Sequence, residues 1–365
     1  MDFADRLDRA RKATGAAGLD ALLITPGPDL RYLTGYPAVV LERLTCLVLP
    51  ADGDPVLVVP RLERPAALAS PAGGLGLRLL PWDETDDPYS LVTGQLRDPG
   101  RVAVDDHMRA ATVLALRDAL PGTEQTLAGA VLGPLRARKA PDEVAALRRA
   151  GEAIDRVHTR MSEWLRPGRT EREVGREVAE AIIAEGHERV DFVIVGSGPN
   201  GASPHHGLSD RVIEAGDPVV VDIGGTTADG YCSDSTRTYV AGAEPAADFA
   251  AYYAVLEEAQ RAAVAAVRPG VAAQAVDAAA RDVISAAGYG DAFVHRTGHG
   301  IGLEPHEQPY IVAGNTQPLE PGMAFSVEPG IYLAGRHGAR IEDIVAVTAD
   351  GVERLNRTPR GLVAL

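Results

Sequence analysis

Cysteine is nearly absent, with Cys46 and Cys232 the only two among 365 residues. Two thiols supply neither a disulfide framework nor a multi-cysteine zinc site, so the sequence points to the reducing cytosol and to any metal being held by oxygen and nitrogen. Also missing is a run of about 18 uninterrupted apolar residues, the length a membrane helix needs. The opening stretch MDFADRLDRARKATG has neither a basic nor an apolar leader segment. A cytoplasmic protein without membrane contact is expected. Basic residues are in deficit, 36 against 51 acids, for a net charge of −15. Such a charge repels a phosphate backbone and no local basic patch offsets it, which argues against nucleic acid as a partner. What is present, 45% apolar and 24% charged residues, is an ordinary globular composition, with length for roughly two to three domains.

Residues 1–132 alternate short β-type runs (21–25, 46–49, 56–59 and 102–104) with amphipathic helical stretches at 2–15 and 108–120. That alternation predicts an α/β domain. Residues 135–165 read as one long charged helix, with Pro141 and Asp142 as a possible fresh start inside it, and the second domain is set at 133–365. Thr170 and Glu173 have capping-box spacing ahead of a further helix, and β-type runs follow at 190–195 and 219–223. Two Ala-rich helices, 246–267 and 272–287, then precede more strands. The order of elements repeats, and so does a short motif. GDPVVVDIG (216–224) and GMAFSVEPG (322–330) place a turn glycine, an apolar strand, an acid and a second glycine in equivalent positions. Each copy carries another acid downstream, Asp234 and Glu342, so a pseudo-two-fold pair of helix-helix-strand units would bring four carboxylates to one centre.

Asp222 and Asp234 flank IGGTTADGYCS, whose Ala-Asp-Gly centre suits a hairpin turn. Asp222 follows three valines, and a carboxylate at the end of a buried strand is costly unless paired or coordinated. Most of the nine histidines fall in two Gly-rich segments: His205 and His206 in GSGPNGASPHHG, and His295, His299 and His306 in VHRTGHGIGLEPHEQP. Glycines on either side of His299 allow close approach of backbone to a ligand. GHGIG lacks the GxGxxG spacing of a nucleotide loop. Glu328 and Glu342 lie in apolar surroundings, with Arg340 two residues before Glu342 and expected on the same strand face. Four carboxylates and one imidazole suit Mn²⁺, Co²⁺ or Zn²⁺, and four acids balance the charge of two divalent ions, favouring a dinuclear site.

With these motifs in view, the sequence resembles the pita-bread metallopeptidases (prolidase, aminopeptidase P and methionine aminopeptidase, with creatinase as a metal-free relative) and is most similar to prolidase and aminopeptidase P. The resemblance spans the whole chain: DALLITPGPDLRYLTGY is similar to the family's N-terminal domain, RARKAPDEVAALRRAGE to the entry into its catalytic domain, and the ligand order Asp, Asp, His, Glu, Glu is complete. The gap from Asp222 to Asp234 is one residue longer than the family pattern, with the excess expected in the Thr226–Gly230 turn.

The resemblance implies an α+β pita-bread catalytic domain with pseudo-two-fold helix-helix-strand repeats, preceded by a smaller α/β domain. It further implies two divalent ions, Mn²⁺ ahead of Co²⁺ or Zn²⁺. Asp222 would chelate one, Asp234 and Glu342 would bridge both, and His299 and Glu328 would hold the other. By the same likeness His306 would steady the tetrahedral intermediate or move a proton, while His205, His295, Tyr332 and Arg340 would line the substrate or support the site. A homodimer cleaving Xaa-Pro dipeptides is implied, Arg340 and the histidines receiving the free carboxylate. Alternatives are an aminopeptidase P acting on longer peptides, a metal-bearing hydrolase of a non-peptide C–N bond, and a binding module that has lost catalysis.

Overall fold

Apolar runs bounded by turn residues become strands in the computed structural model, which describes all 365 residues. The chain divides into two units, Met1–Arg136 and Ala137–Leu365. The first runs α1 (Phe3–Ala16), β1 (Ala21–Ile24), α2 (Pro28–Thr34), β2 (Cys46–Pro50), β3 (Val56–Pro60), α3 (Arg64–Ala69), β4 (Arg78–Trp82), α4 (Pro88–Thr93), β5 (Arg101–Val104), α5 (Ala110–Ala119), β6 (Glu124–Leu127) and α6 (Gly129–Ala137). Its single mixed sheet has the order β4-β3-β2-β1-β5-β6. Strand β2 runs antiparallel to both β1 and β3, and the β3–β4, β1–β5 and β5–β6 pairs are parallel. Strands covered on both faces read as continuous apolar runs, which is why β1, β2, β3 and β5 are visible in the sequence. The edge strands β4 and β6 were not predicted, because Arg78–Trp82 and Glu124–Leu127 are only partly buried and carry no clean pattern.

Asp105 directly follows β5 in this unit and is 2% exposed. Its Oδ1 accepts from the His107 amide at 2.7 Å, while Oδ2 has no partner. Burial, reinforced by Asp29, pushes the carboxyl up to about 7. A carboxyl whose folded pKa lies above its unfolded value costs nothing while both states are protonated, and it withdraws stability as pH rises from about 4 through 7. Asp105→Asn is therefore expected to stabilise the fold at pH 8 by at most about 4 kcal/mol, at 1.36 kcal/mol per unit, and so to raise the melting temperature. The gain shrinks toward pH 5; thermal melts at both pH values check it, and an equal effect at each would refute the assignment.

The stretch 135–165, predicted as one helix, is broken. Helix α6 ends at Ala137 and α7 (Pro141–Thr159) begins afresh at Pro141. Proline pushes the residue before it out of helical conformation, and Ala140 is extended, with φ −68° and ψ 163°. The Glu143 carboxylate accepts from the Ala140 amide at 2.9 Å and restarts the helix. The units part at Arg136/Ala137 rather than 132/133, since α6 runs through the earlier position.

The second unit continues with α8 (Glu171–Ala184), β7 (His187–Ser197), β8 (Pro218–Thr227), β9 (Ser235–Val240), α9 (Ala247–Ala266), α10 (Ala273–Ala286), β10 (Gly298–Gly300), β11 (Glu307–Ile311), β12 (Ala324–Val327), β13 (Gly330–Leu333), β14 (His337–Arg340), β15 (Asp343–Val347), β16 (Val352–Arg354) and β17 (Val363–Ala364). One sheet has the order β17-β9-β8-β7, a second β11-β10-β12-β15-β16, and β13–β14 form a separate hairpin. Helices α7 and α8 pack Ile154, Val157, Val174 and Val178 onto Val219, Val221 and Ile223 of β8. Helices α9 and α10 pack Phe249, Tyr252, Val276 and Ala280 onto Phe325, Val327 and Val345 of the second sheet. A helix pair covering a sheet thus occurs twice, in the order the sequence motif repeats. The capping box forms: Thr170 Oγ1 accepts from the Glu173 amide at 3.2 Å, and Glu173 accepts from the Thr170 amide at 2.9 Å.

Candidate active site

Each half of the second unit delivers a pair of acids by strand pairing. Strands β8 and β9 pair without a slip from Pro218↔Val240 to Ile223↔Ser235, which sets Asp222 opposite Thr236. Side chains two apart share a face, so Asp234, just before β9, falls diagonally across from Asp222. The Thr227 amide bonds the Tyr231 carbonyl and closes a three-residue loop, Ala228–Gly230, with Gly230 at φ 93°. That loop has the left-handed glycine such a hairpin requires. In the other half β12 and β15 pair with Val327 opposite Asp343, which puts Glu328 and Glu342 just outside the ladder and facing one another.

One correction concerns Arg340. It lies on β14, the hairpin β13–β14 being inserted between Glu328 and Glu342, so Arg340 and Glu342 do not share a strand. They meet through β9: Thr236 Oγ1 donates to Glu342 Oε2 at 2.7 Å and accepts from Arg340 Nε at 3.1 Å.

The ligand atoms of Asp222, Asp234 and Glu342 lie within 4.8 Å of one another, as do those of His299, Glu328 and Glu342. Glu342 is common to both groups. His299 Nε2 is 3.1 Å from Glu328 and 3.7 Å from Asp234. Its Nδ1 is 3.1 Å from the Gly300 carbonyl, a bond that fixes the ring and turns Nε2 toward the acids. The glycines flanking His299 serve packing rather than ligand access. A Cβ at Gly298 would strike the Ser326 carbonyl, and one at Gly300 the Gln308 carbonyl.

Without cations the acids are in conflict. Burial first, then Glu342 and Asp222, holds the Asp234 carboxyl well above its ordinary range; burial, then Glu328 and Asp222, does the same to Glu342. Burial presses on Glu328 most, but the hydrogen bond and charge of His299, together with His295 and Arg340, outweigh it and take that carboxyl down to about 2. Asp222 Oδ1 is buried with no hydrogen-bond partner. Crowded acids that must take up protons, one orphaned oxygen and one oriented imidazole fit divalent cations. The even balance of four acids against two such ions leaves out Arg340, whose Nη2 is 2.6 Å from Asp222 Oδ2.

Around these groups lies a cavity of about 700 Å³ whose walls include Phe192, Ile194, His205, His295, Arg296 and His306. His306 sits ring to ring with His299, centroids 3.9 Å apart, and forms a further close group with Asp234 and His299. Loss of surrounding water and then His299 hold its pKa down to about 4. His295 and Tyr332 belong to a relay: Arg340 Nη1 donates to the Tyr332 hydroxyl at 2.7 Å, which meets His295 Nε2 at 2.8 Å, and His295 Nδ1 is 2.7 Å from the Arg296 carbonyl. Tyr332 is outside the cavity wall, and three nitrogens of Arg340 are already spent on Asp222, Tyr332 and Thr236. Arg340 also lines the cavity, but with those nitrogens bonded within the chain it is not a free cation there. Sequence reasoning passed over Arg296, whose guanidinium lies 4.5 Å from the Tyr310 ring centroid, and over Phe192 and Ile194. Residues 192 and 194 alternate on β7, with Ile194 paired to Asp222, and that register is a tertiary fact.

Among known proteins, the model of metallopeptidase family M24 matches residues 145–349, and that of the Creatinase/Prolidase N-terminal domain matches residues 6–138. A probable dipeptidase PepE of Mycobacterium tuberculosis is 58% identical over 364 residues, covering 100% of this chain and 96% of that protein. An Xaa-Pro dipeptidase of Lactobacillus helveticus is 36% identical, covering 98% of each. The crystal structure of dipeptidase PepE from Mycobacterium ulcerans superposes with a TM-score of 0.94 at 56% identity, covering 100% of this chain and 99% of that one.

Proposed function

The chain belongs to metallopeptidase family M24, with the family's two-domain pita-bread fold, and from that premise we propose that it hydrolyses the bond between an N-terminal residue and proline, with Xaa-Pro dipeptides preferred over longer peptides. The observation that carries this is the convergence of Asp222, Asp234, His299, Glu328 and Glu342 on one cavity. These five are the residues that would hold two divalent ions, Asp234 and Glu342 between them, with Mn²⁺ the first choice and Co²⁺ or Zn²⁺ the alternatives. When bound, such ions supply Lewis acidity that polarises a carbonyl and activates water. The cytoplasm and a homodimer are the proposed setting. No helix is long and apolar enough to cross a membrane.

The chain's own groups handle the rest. His306 stays neutral at pH 7 and presents an imidazole beside the reacting carbonyl, suited to hydrogen-bonding oxygen as charge develops there. Phe192 and Ile194 supply apolar wall for a pyrrolidine ring. Arg296 has no carboxylate partner within the chain, and its place in the wall suits the free carboxylate of a dipeptide. A longer peptide puts an amide there and leaves the cation unpaired, which is the physical basis of the dipeptide preference. The names of the relatives, dipeptidase and Xaa-Pro dipeptidase, agree with it.

The deciding measurement is kcat/KM on Xaa-Pro and Xaa-Pro-Xaa pairs after loading with Mn²⁺, Co²⁺ or Zn²⁺. The dipeptide is expected to be cleaved at least about tenfold faster, a difference of about 1.4 kcal/mol. Equal or faster cleavage of the tripeptide would make the enzyme an aminopeptidase P, and cleavage of neither would overturn the proline reading.

A further inference from the structure

Glu171 is the first residue of α8 and is 0% exposed, yet it lies outside the cavity; the one basic side chain that touches it is a histidine, with Arg211 one hydrogen bond removed through Ser197 Oγ. Its two oxygens gather donors from one stretch of chain, the last residue of β7 and the connection from β7 to β8. Oε1 accepts from the Ser197 amide and Ser197 Oγ, both at 2.7 Å, and from Asn200 Nδ2 at 3.0 Å. Oε2 lies 2.7 Å from His206 Nε2 and accepts from Ser209 Oγ at 2.5 Å. The Glu171 amide in turn donates to the Arg211 carbonyl at 3.1 Å, and the Arg172 amide to the Ser209 carbonyl at 3.0 Å. Burial alone would push the carboxyl up, but the bonds from Ser209, Ser197 and His206 outweigh it and hold the group below its ordinary range. It is a buried anion satisfied by the end of β7 and the loop that follows it.

That loop is the one that carries Pro204 and His205 into the cavity wall. From Ser203 to Arg211 it has no helix or strand to fix its path. Within that loop His206 is turned onto Glu171, while its neighbour His205 lines the cavity. We propose that Glu171 is a positioning residue that sets His205 at the substrate cavity through His206, Ser209 and Asn200, so that the paired histidines divide their work, one anchoring and one facing the peptide. The competing account is that Glu171 merely favours the start of α8, as any acid in a first helical turn does. That account predicts nothing specific about His205.

The two accounts separate in a double-mutant cycle, read on an Xaa-Pro dipeptide and to that extent resting on the function proposed above. Glu171→Gln keeps the shape but turns an acceptor into a donor facing other donors. It is expected to lower kcat/KM about tenfold, mostly through KM, with bound metal unchanged, and to have less than a twofold effect in a His205→Ala background. An equal loss in both backgrounds, or none in either, overturns the proposal. Should Glu171→Gln fail to fold, Ser209→Ala removes one anchor without touching the charge, and the same disappearance of its effect beside His205→Ala is expected. A readout independent of catalysis is the rate at which diethylpyrocarbonate modifies His205 in the metal-free protein, followed by peptide mass spectrometry. Glu171→Gln should raise it several-fold relative to His295, and an unchanged ratio refutes the proposal. If the wild-type protein cleaves no Xaa-Pro peptide, the function fails while the modification ratio still decides the role of Glu171.

Discussion

Asp234→Asn is expected to cut peptide hydrolysis about 10³-fold or more, equivalent to at least about 4 kcal/mol of barrier, and to deplete metal from both groups of ligands. Asp234 stands between Asp222 and Glu342 on one side and His299 on the other, so its loss is felt by both. Glu328, which faces His299 and Ser326, belongs to one side. Glu328→Gln should therefore leave about half the metal that Asp234→Asn removes. The same substitution has the opposite effect on the metal-free protein. Asp234 is 3% exposed and crowded by other acids, with its carboxyl held well above the ordinary range, so ionising it draws on the stability of the fold. An amide of the same size does not ionise. Chelated Asp234→Asn should melt above chelated wild type at pH 8. Metal analysis, kinetics and thermal melts test the three parts, and retained activity in Asp234→Asn, or in exhaustively chelated wild type, would sink the metallopeptidase chemistry assigned to these residues.

The acids were legible because buried carboxylates have few excuses. Asp222 after three valines, and Glu328 after an apolar strand, could be singled out from local cost alone, and the hairpin turn between Asp222 and Asp234 was written in Ala-Asp-Gly. The break at Pro141 was likewise visible as a proline, though its strength as a stop was underestimated. What stayed hidden depends on register and on inserted elements. The β13–β14 hairpin lies between Glu328 and Glu342, so a spacing of two residues between Arg340 and Glu342 said nothing about a shared strand face. Arg296 adjoins His295 and gave no signal, because an arginine beside a histidine is commonplace until a fold puts one cation in a cavity wall. Glu171 was passed over for a related reason: in sequence it is one more acid in the first turn of a helix, and only the path of the loop 197–209 makes it a hub.

The second large effect concerns Arg340, whose neighbours make it a test of support as distinct from contact. It is 3% exposed, and its guanidinium spreads over Asp222 at 2.6 Å, Tyr332 at 2.7 Å and Thr236 at 3.1 Å. Arg340→Met keeps bulk but leaves the 8% exposed Asp222 as an unpaired buried charge. Breaking a buried pair from one side costs about 3–5 kcal/mol, so the metal-free variant should unfold at markedly lower urea. Metal affinity should fall about 10–100-fold, as it does when a group that orients a ligand is removed. Arg340→Lys is not expected to recover either property, since an ammonium cannot reach three separated oxygens in one plane. Adding Asp222→Asn to Arg340→Met removes the stranded charge, and replacing both partners is far gentler than replacing one. The double variant should regain most of the lost stability but lose activity, because Asp222 is itself among the groups proposed to hold metal. Urea midpoints for the four proteins, together with metal titrations, give the answer. Equal stability of Arg340→Met and wild type would mean that Asp222 takes a proton instead of a partner, and a fully active Arg340→Met would remove Arg340 from the support of the site.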